Sequence, residues 1–578
     1  MVAGQRAASV LALIALLGLA LAGCPRGQDV LPEDGSAEGA VENDGPATGA
    51  EADQAESAGL AGPGATIAEA IEVTDEGPAS PVILVTASMK GYTEPCGCTL
   101  DLVLGGLDRV VGFVQAASAL GTDALVLDGG DLWFEYEVLE GARVEQDRAK
   151  AALLAEAHRT MGTFATVPGP RDLALGVDTW RELVASAEIR PLAANLALAD
   201  GSPIAPAWTE TTLDGHRIGV IGAVDPARFA ERTDVTASDA APAVDAALAE
   251  ARGAGVDTTI LLFQGDLSAA RATFGAVEGL DFIVIGSSPR DTDEVERVGS
   301  AWTLEAYDQG RYVGRLKLVW PGEGEATPWQ NARVGSDEEA EQVQSLLERY
   351  EGQLAAMPPV PEGEEPPAIR TRLEERIAEM QTRFEAMEST ALTFADGTRS
   401  FAWEPWAMAP GIPTAESITT GMLAYNAELQ RINMANASPP EPAADGQPHY
   451  VGVATCARCH PGAHEFWLTT SHAHAIDTLE DRGKQYDRSC IGCHVTGYEQ
   501  PGGSTLGHTD GLANVQCEQC HGPGSMHAEN PTLVNVPTGV QLAVPEATCG
   551  SCHNEEHSPA FDYDTYVPMV LGPGHGGG

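Results

Sequence analysis

Four copies of one pentapeptide pattern fill the last quarter of the chain: "CARCH" (456–460), "CIGCH" (490–494), "CEQCH" (517–521) and "CGSCH" (549–553). Two cysteines three positions apart can each form a thioether to one vinyl group of a haem, and the adjoining imidazole then lies under the iron as its proximal ligand. Cysteine pairs also bind zinc, but zinc does not require a histidine directly after the second cysteine, and here one follows in all four copies. Four haems c are therefore expected, joined through Cys456, Cys459, Cys490, Cys493, Cys517, Cys520, Cys549 and Cys552, with His460, His494, His521 and His553 on the irons. From His449 onward long apolar runs disappear while Cys, His and Gly become dense. Porphyrins rather than side chains are expected to supply that core, packed closely enough for electrons to hop between them.

At 578 residues the chain exceeds what one core can hold, so two or three domains are expected. Its start reads as a targeting segment: Arg6, an apolar run over 7–22 that is short and alanine-rich for a membrane span, then Leu21-Ala22-Gly23-Cys24. That quartet resembles the lipobox of bacterial lipoproteins, which implies that Cys24 is lipidated and becomes the first residue of the mature chain. An ordinary signal peptide with a chance cysteine is the alternative. Acyl chains rather than a helix would hold the protein on a membrane surface, in an exported compartment where disulfides persist. Pro25 stands where inner-membrane lipoproteins of enterobacteria carry Asp, which favours the outer membrane, facing the periplasm or the cell surface. Formal net charge is −51, and no Lys or Arg occurs over 27–89. Such a surface argues against nucleic acid as a partner and would steer basic faces of redox donor and acceptor proteins toward it.

Composition divides the chain further. Behind the signal segment (1–24), residues 25–78 are rich in Gly, Ala, Glu and Asp and are expected to form a disordered acidic linker. Over 79–325 short apolar, β-branched runs recur: "PVILVTAS" (81–88), "DALVLDGG" (123–130), "RIGVIGAV" (217–224), "TTILLFQG" (258–265) and "DFIVIGSS" (281–288). Helical stretches such as "LDRVVGFVQAASAL" (107–120) and "DRAKAALLAEAHRTMG" (147–162) separate several of them, which is the alternation of an α/β sandwich with buried sheets. Within 336–390, Val343, Leu347, Tyr350, Leu354 and Met357 share a helical face, as do Leu373, Ile377, Met380, Phe384 and Met387. The break at "PPVPEGEEPP" (358–367) predicts a helical hairpin, a spacer or dimerisation arm. Residues 391–448 read as a connector with one helix, "SITTGMLAYNAELQRI" (417–432), and 449–578 as a mostly α, loop-rich haem domain.

The haem domain carries "YVGVATCARCH" (450–460) with Trp467, "HAHAIDTL" (472–479), "CIGCHVTGY" (490–498), "VQCEQCHGPGSMH" (515–527) and "CGSCHNEEHS" (549–558). In these features residues 449–578 resemble the tetrahaem cytochrome c-554 family, whose haems are mostly bis-histidine, with one iron sometimes left five-coordinate. The resemblance implies His472, His527 and His557 as distal ligands, with His575 next and His474 as the alternative to His472. His464 and His508 fall where the pattern asks for no histidine, and His158 and His216 lie in the sandwich. Which distal histidine serves which haem is not legible at this level.

The strand at 82–86, "GGLDRV" (105–110), "LVLDGGDLW" (125–133), "PLAANL" (191–196), "IGVIGAV" (218–224) and "DFIVIGSSP" (281–289) resemble the metallophosphoesterase fold of the periplasmic 5′-nucleotidase type. That implies a four-layer αββα sandwich. The family holds two divalent metals with Asp-x-His, Gly-Asp, Gly-Asn-His-Glu, a lone His and Gly-His-x-His. At those places this chain has Ser88-Met89-Lys90, Gly130-Asp131, Gly169-Pro170-Arg171-Asp172, Gln264 and Gly286-Ser287-Ser288-Pro289. No histidine remains, and Lys90 and Arg171 bring positive charge, so no dinuclear metal is expected. Just beyond the first lost pair lies "EPCGC" (94–98). Of the 11 cysteines, only Cys96 and Cys98 remain after Cys24 and the motif thiols are assigned. The block "GYTEPCGC … GGL" resembles one carried by other sandwiches of this kind. A structural Cys-x-Cys disulfide, a redox-active pair and a soft-metal site stay open as readings.

The expected whole is an extracytoplasmic multihaem cytochrome that transfers electrons, more a carrier than an enzyme. One alternative is a redox enzyme acting on a small nitrogen, oxygen or sulfur compound at an open haem or at Cys96 and Cys98. The other, against the erased ligands, is a metal-dependent phosphohydrolase with a cytochrome tail.

Overall fold

The structure, a computed structural model, describes residues 81–96, 104–119, 123–288, 295–321, 327–332, single positions between 343 and 381, 398–554, 558 and 561–572. The lipobox with Cys24, the acidic segment 25–78, the Cys96 side chain, Cys98, His557 and His575 lie outside the described residues.

Two large sheets carry the N-terminal architecture. The first runs in the order Gln330–Asn331, Ser400–Ala407, Tyr312–Val319, Val82–Thr86, Ala124–Asp128, Ala165–Thr166, Arg190–Pro191. Val82–Thr86 is buried at every residue, because strands flank it on both sides and layers cover both faces. That is why it reads as an unbroken apolar run rather than an alternating one. The second sheet runs Arg297–Val298, Ala301–Glu305, Phe282–Ile285, Thr258–Gln264, His216–Val224, Trp208–Leu213. Its side chains sort by parity. Ile260, Leu262, Phe282 and Val284 join the core shared with the first sheet, whereas Leu261, Phe263, Ile283 and Ile285 pack with Val244, Leu248 and Phe274. Those three come from helices Ala240–Gly253 and Leu267–Phe274.

On the first sheet, Phe401 meets Phe282 of the second at 5.1 Å, while Trp406, on the opposite face of the same strand, meets Phe113 of helix Leu107–Ala119 at 5.4 Å. The layers therefore run helix, sheet, sheet, helix, the αββα sandwich anticipated above.

Ser400–Ala407 departs from expectation. Residues 391–448 read as a connector, yet this segment pairs antiparallel along its length with Tyr312–Val319. Helix Glu416–Ala435 then buries Ile418, Met422, Tyr425 and Leu429 in the same core. The sandwich thus continues past residue 325. Pro405 disguises the strand, and it is tolerated because, among the described residues, the outer neighbour Gln330–Asn331 pairs only with Ser400 and Phe401 and no strand lies beside the proline on that side.

Val343, Leu347, Ile377 and Met380 form one buried cluster with Tyr350, Leu354 and Leu373 against it, so the apolar faces of both halves of 336–390 meet. The C-terminal region is built from short helices, among them Val453–Cys456, Pro461–Trp467, Cys517–His521 and Ser525–Glu529. Its apolar cluster is small: Ile476, Leu479, Ile491, Val495 and Leu506. Among the described residues no helix is long and apolar enough to cross a membrane.

Candidate haem-binding site

Each Cys-x-x-Cys-His motif closes into a tight turn. The backbone N–H of His460 donates to Cys456 O at 3.0 Å, that of His494 to Ile491 O at 3.0 Å and that of His553 to Cys549 O at 2.8 Å, while the third motif forms the helix Cys517–His521. The motifs are then tied to one another. Glu518, buried inside the third motif, accepts N–H groups from Val451 and Gly452 ahead of the first motif and from Gly524 after its own. Gln516 Oε1 accepts from Val453 N at 2.6 Å. The Cys456 and Cys517 side chains are neighbours, as are those of Cys493 and Cys552, so motifs one and three adjoin, as do two and four.

Two imidazole pairs stand out. The rings of His460 and His527 lie 6.3 Å apart at 22° between planes, and those of His472 and His553 lie 6.2 Å apart at 43°. Two imidazoles on opposite sides of one metal would have centres about 6 Å apart, given a metal–nitrogen bond of about 2 Å and a ring centre roughly 1 Å beyond that nitrogen. The second ring nitrogens fit as well. Nδ1 of His494 contacts the Ala475 carbonyl, and Nδ1 of His521 lies 2.8 Å from Gln541 O. A carbonyl only accepts, so each Nδ1 carries the proton and Nε2 keeps its lone pair for a metal. Burial lowers the pKa of His472, His494 and His553, which favours the neutral ring a metal needs. Among the described residues the buried Nδ1 of His527 has no hydrogen-bond partner, the kind of orphaned atom that a bound group would satisfy. The residues present therefore fit haem.

His474, the alternative to His472, is exposed and turned to Asp477, 3.2 Å from Nδ1, and to Leu468 O, 3.3 Å from Nε2. His464 stacks on Trp467 and His508 is exposed. His158 is buried against Thr163, and His216 stacks on Trp320.

The second cluster sits at the carboxyl ends of the sandwich strands, where α/β sheets place their sites. Asp131 is buried and receives Arg228 Nη2 at 2.7 Å and Arg171 N at 3.0 Å; Arg228 Nη1 also donates to Gln264 Oε1. Asp172 accepts the backbone N–H groups of Asp131, Leu132, Trp133 and Gly169 at 2.7–3.0 Å. Asp128 accepts from Thr86 Oγ1 and Thr166 Oγ1, both at 2.8 Å, and burial pushes its pKa up to about 6. Lys90 pairs with Asp308 at 2.9 Å, and Ser88 Oγ donates to Gly286 O at 2.7 Å. Sequence reasoning missed Arg228, which lies outside every metal motif and carries no local signal. Cys96 ends the two-residue strand Pro95–Cys96, paired with Leu104–Gly105, and Glu94 just before it forms a 3.2 Å ion pair with Lys484 of the haem region.

Residues 455–522 match the protein family described as "Cytochrome c554 and c-prime". Cytochrome c-554 of Nitrosomonas europaea is 36% identical over 91 residues, covering 13% of this chain and 39% of the relative, so the chain spans about two fifths of that relative's length. Among solved structures, the 5′-nucleotidase precursor of Thermus thermophilus is similar at 15% identity, covering 70% of this chain and 68% of that one with a TM-score of 0.42. The calcineurin-like phosphoesterase YfkN of Bacillus subtilis is similar at 13% identity, covering 62% and 99% with a TM-score of 0.39.

Proposed function

We propose that this chain is an exported multihaem c-type cytochrome that transfers electrons, with four haems c attached through the eight motif cysteines. His460, His494, His521 and His553 are the proximal ligands. His527 would serve the same iron as His460, and His472 the same iron as His553, while His557 and His575 are proposed for the remaining irons. The spacing of the two imidazole pairs, 6.3 Å and 6.2 Å, is the observation that carries this reading. Haem c, when bound, supplies a one-electron iron couple. The protein's own part is to hold neutral imidazoles in place through Ala475 and Gln541, and to clamp the first motif against the third through Glu518. Lipidation at Cys24 would anchor it, the outer membrane being favoured, and the acidic surface suits basic redox partners. Haem quantification on the purified protein tests the reading. Four covalently bound haems are expected; a count below four, or haem released by acidified acetone, overturns it.

The sandwich, in this reading, has lost its dimetal chemistry, because the retained carboxylate Asp131 is already neutralised by Arg228. Phosphatase or nucleotidase activity stimulated by manganese would revive the hydrolase alternative. The redox-enzyme alternative, with Cys96 and Cys98 as the reactive pair, draws support from the Glu94–Lys484 ion pair, which ties the segment leading into Cys96 to the segment leading into Cys490. Thiol titration before and after reduction tests it: two extra thiols after reduction support a disulfide there, and an unchanged count counts against it.

A further inference from the structure

The helix Arg143–Met161 carries a polar stripe, Arg143, Gln146, Asp147 and Lys150, at the spacing of one helical face. On an open surface this would be ordinary. Here Gln146, Asp147 and Lys150 are 0%, 2% and 7% exposed, and buried polar groups need partners. The partners come from the haem region and from helix Glu416–Ala435. Gln146 Nε2 donates to Asp487 Oδ1 at 2.8 Å, and its Oε1 accepts from Asn433 Nδ2 at 2.8 Å and from Arg488 N at 3.1 Å. Asn433 also donates to Tyr486 O and accepts from Arg488 Nε. Asp487 in turn shapes the second motif: its carbonyl accepts the N–H groups of Cys490 at 3.1 Å and Ile491 at 3.0 Å.

Charge is gathered at the same place. Lys150 Nζ lies 3.8 Å from Glu135 and 3.9 Å from Asp147, and Lys484 Nζ lies 3.8 Å from Asp487. Lys150 stands one helical turn beyond Gln146, whose amide holds the Asp487 carboxylate, and the Asp487 carbonyl accepts the N–H of Cys490, so the buried ammonium lies beside the second motif. Lys150 is on the sandwich, whereas Cys490 belongs to the haem region.

Resting on the haem reading above, we propose that the sandwich forms an electrostatic wall for the haem attached at Cys490 and Cys493, and that Lys150 is the sandwich residue that sets that centre's potential. A ferric haem carries one more positive charge than a ferrous one. A fixed ammonium nearby, in surroundings where water screens little, therefore favours the reduced state and raises the potential. The role assigned to the sandwich needs no metal and no substrate. It explains why a helix of a phosphoesterase-like layer buries a lysine beneath a neighbouring region.

The test is a spectroelectrochemical titration of the full chain. Haem is counted first on the parent, because a count below four removes the haem reading and this inference with it. With four haems present, Lys150→Met should lower one midpoint potential and leave the other three in place, and Lys150→Arg should restore it. Four unchanged potentials in a folded Lys150→Met protein overturn the proposal. Should that variant fail to fold, Glu135→Gln, which removes a carboxylate facing Lys150, decides instead. It should raise the same potential, and no change overturns the proposal equally.

Discussion

Replacing Arg228 with alanine leaves a buried carboxylate without its main counter-charge. Asp131 is 1% exposed and has Asp128 and Asp172 as neighbouring carboxylates. The truncation deletes a 2.7 Å ion pair and the donor to Gln264, while the backbone N–H of Arg171 still reaches Asp131. Breaking a buried pair from one side costs about 3–5 kcal/mol. Because the guanidinium side is 21% exposed, water already screens part of that interaction, and about 2–3 kcal/mol is expected. For a domain of this size each kcal/mol moves the unfolding midpoint by roughly 2–4 °C, so a fall of about 4–12 °C follows. Far-UV circular dichroism, recorded alongside haem absorption to separate the sandwich transition, reads it. In an Asp131→Asn background no charge is stranded, so the same truncation should then cost less than about 1 kcal/mol. A fall below about 2 °C in the single variant, or an undiminished loss in the Asp131→Asn background, refutes the view that Arg228 is the main counter-charge of Asp131.

Two further outcomes are expected. His158 is fully buried, and burial lowers its pKa from 6.5 to about 3. The unfolded chain binds that proton below 6.5 and the folded chain does not, so stability is lost as pH falls from 6.5 towards 3, by up to roughly 5 kcal/mol. Urea unfolding should therefore show a steeper acid decline for the parent than for His158→Gln, and equal slopes would contradict it. Electron paramagnetic resonance checks the imidazole pairs: His527→Ala and His472→Ala should each convert one low-spin haem to high-spin without lowering the covalent haem count. His474→Ala should change no spin state, and a high-spin signal from it would transfer the ligand role to that residue.

The Cys-x-x-Cys-His motifs were legible because they are local. Two thiols and an imidazole within one five-residue turn need nothing from the rest of the chain, and the same holds for the apolar runs that announced the buried strands. The residues standing at each expected metal-ligand motif could likewise be read position by position, since each motif is short. Which imidazoles come face to face could not be read that way. His472 faces His553, far along the chain, rather than a histidine of a nearer motif, and only chain closure decides such a partner. Arg228 reaches Asp131 from a different sheet, and Ser400–Ala407 finds its place only beside Tyr312–Val319. The stripe Gln146, Asp147 and Lys150 shows the limit most plainly. By composition it belongs in water; it is buried because a loop from the haem region packs over it, and no local pattern specifies which surface another segment will cover.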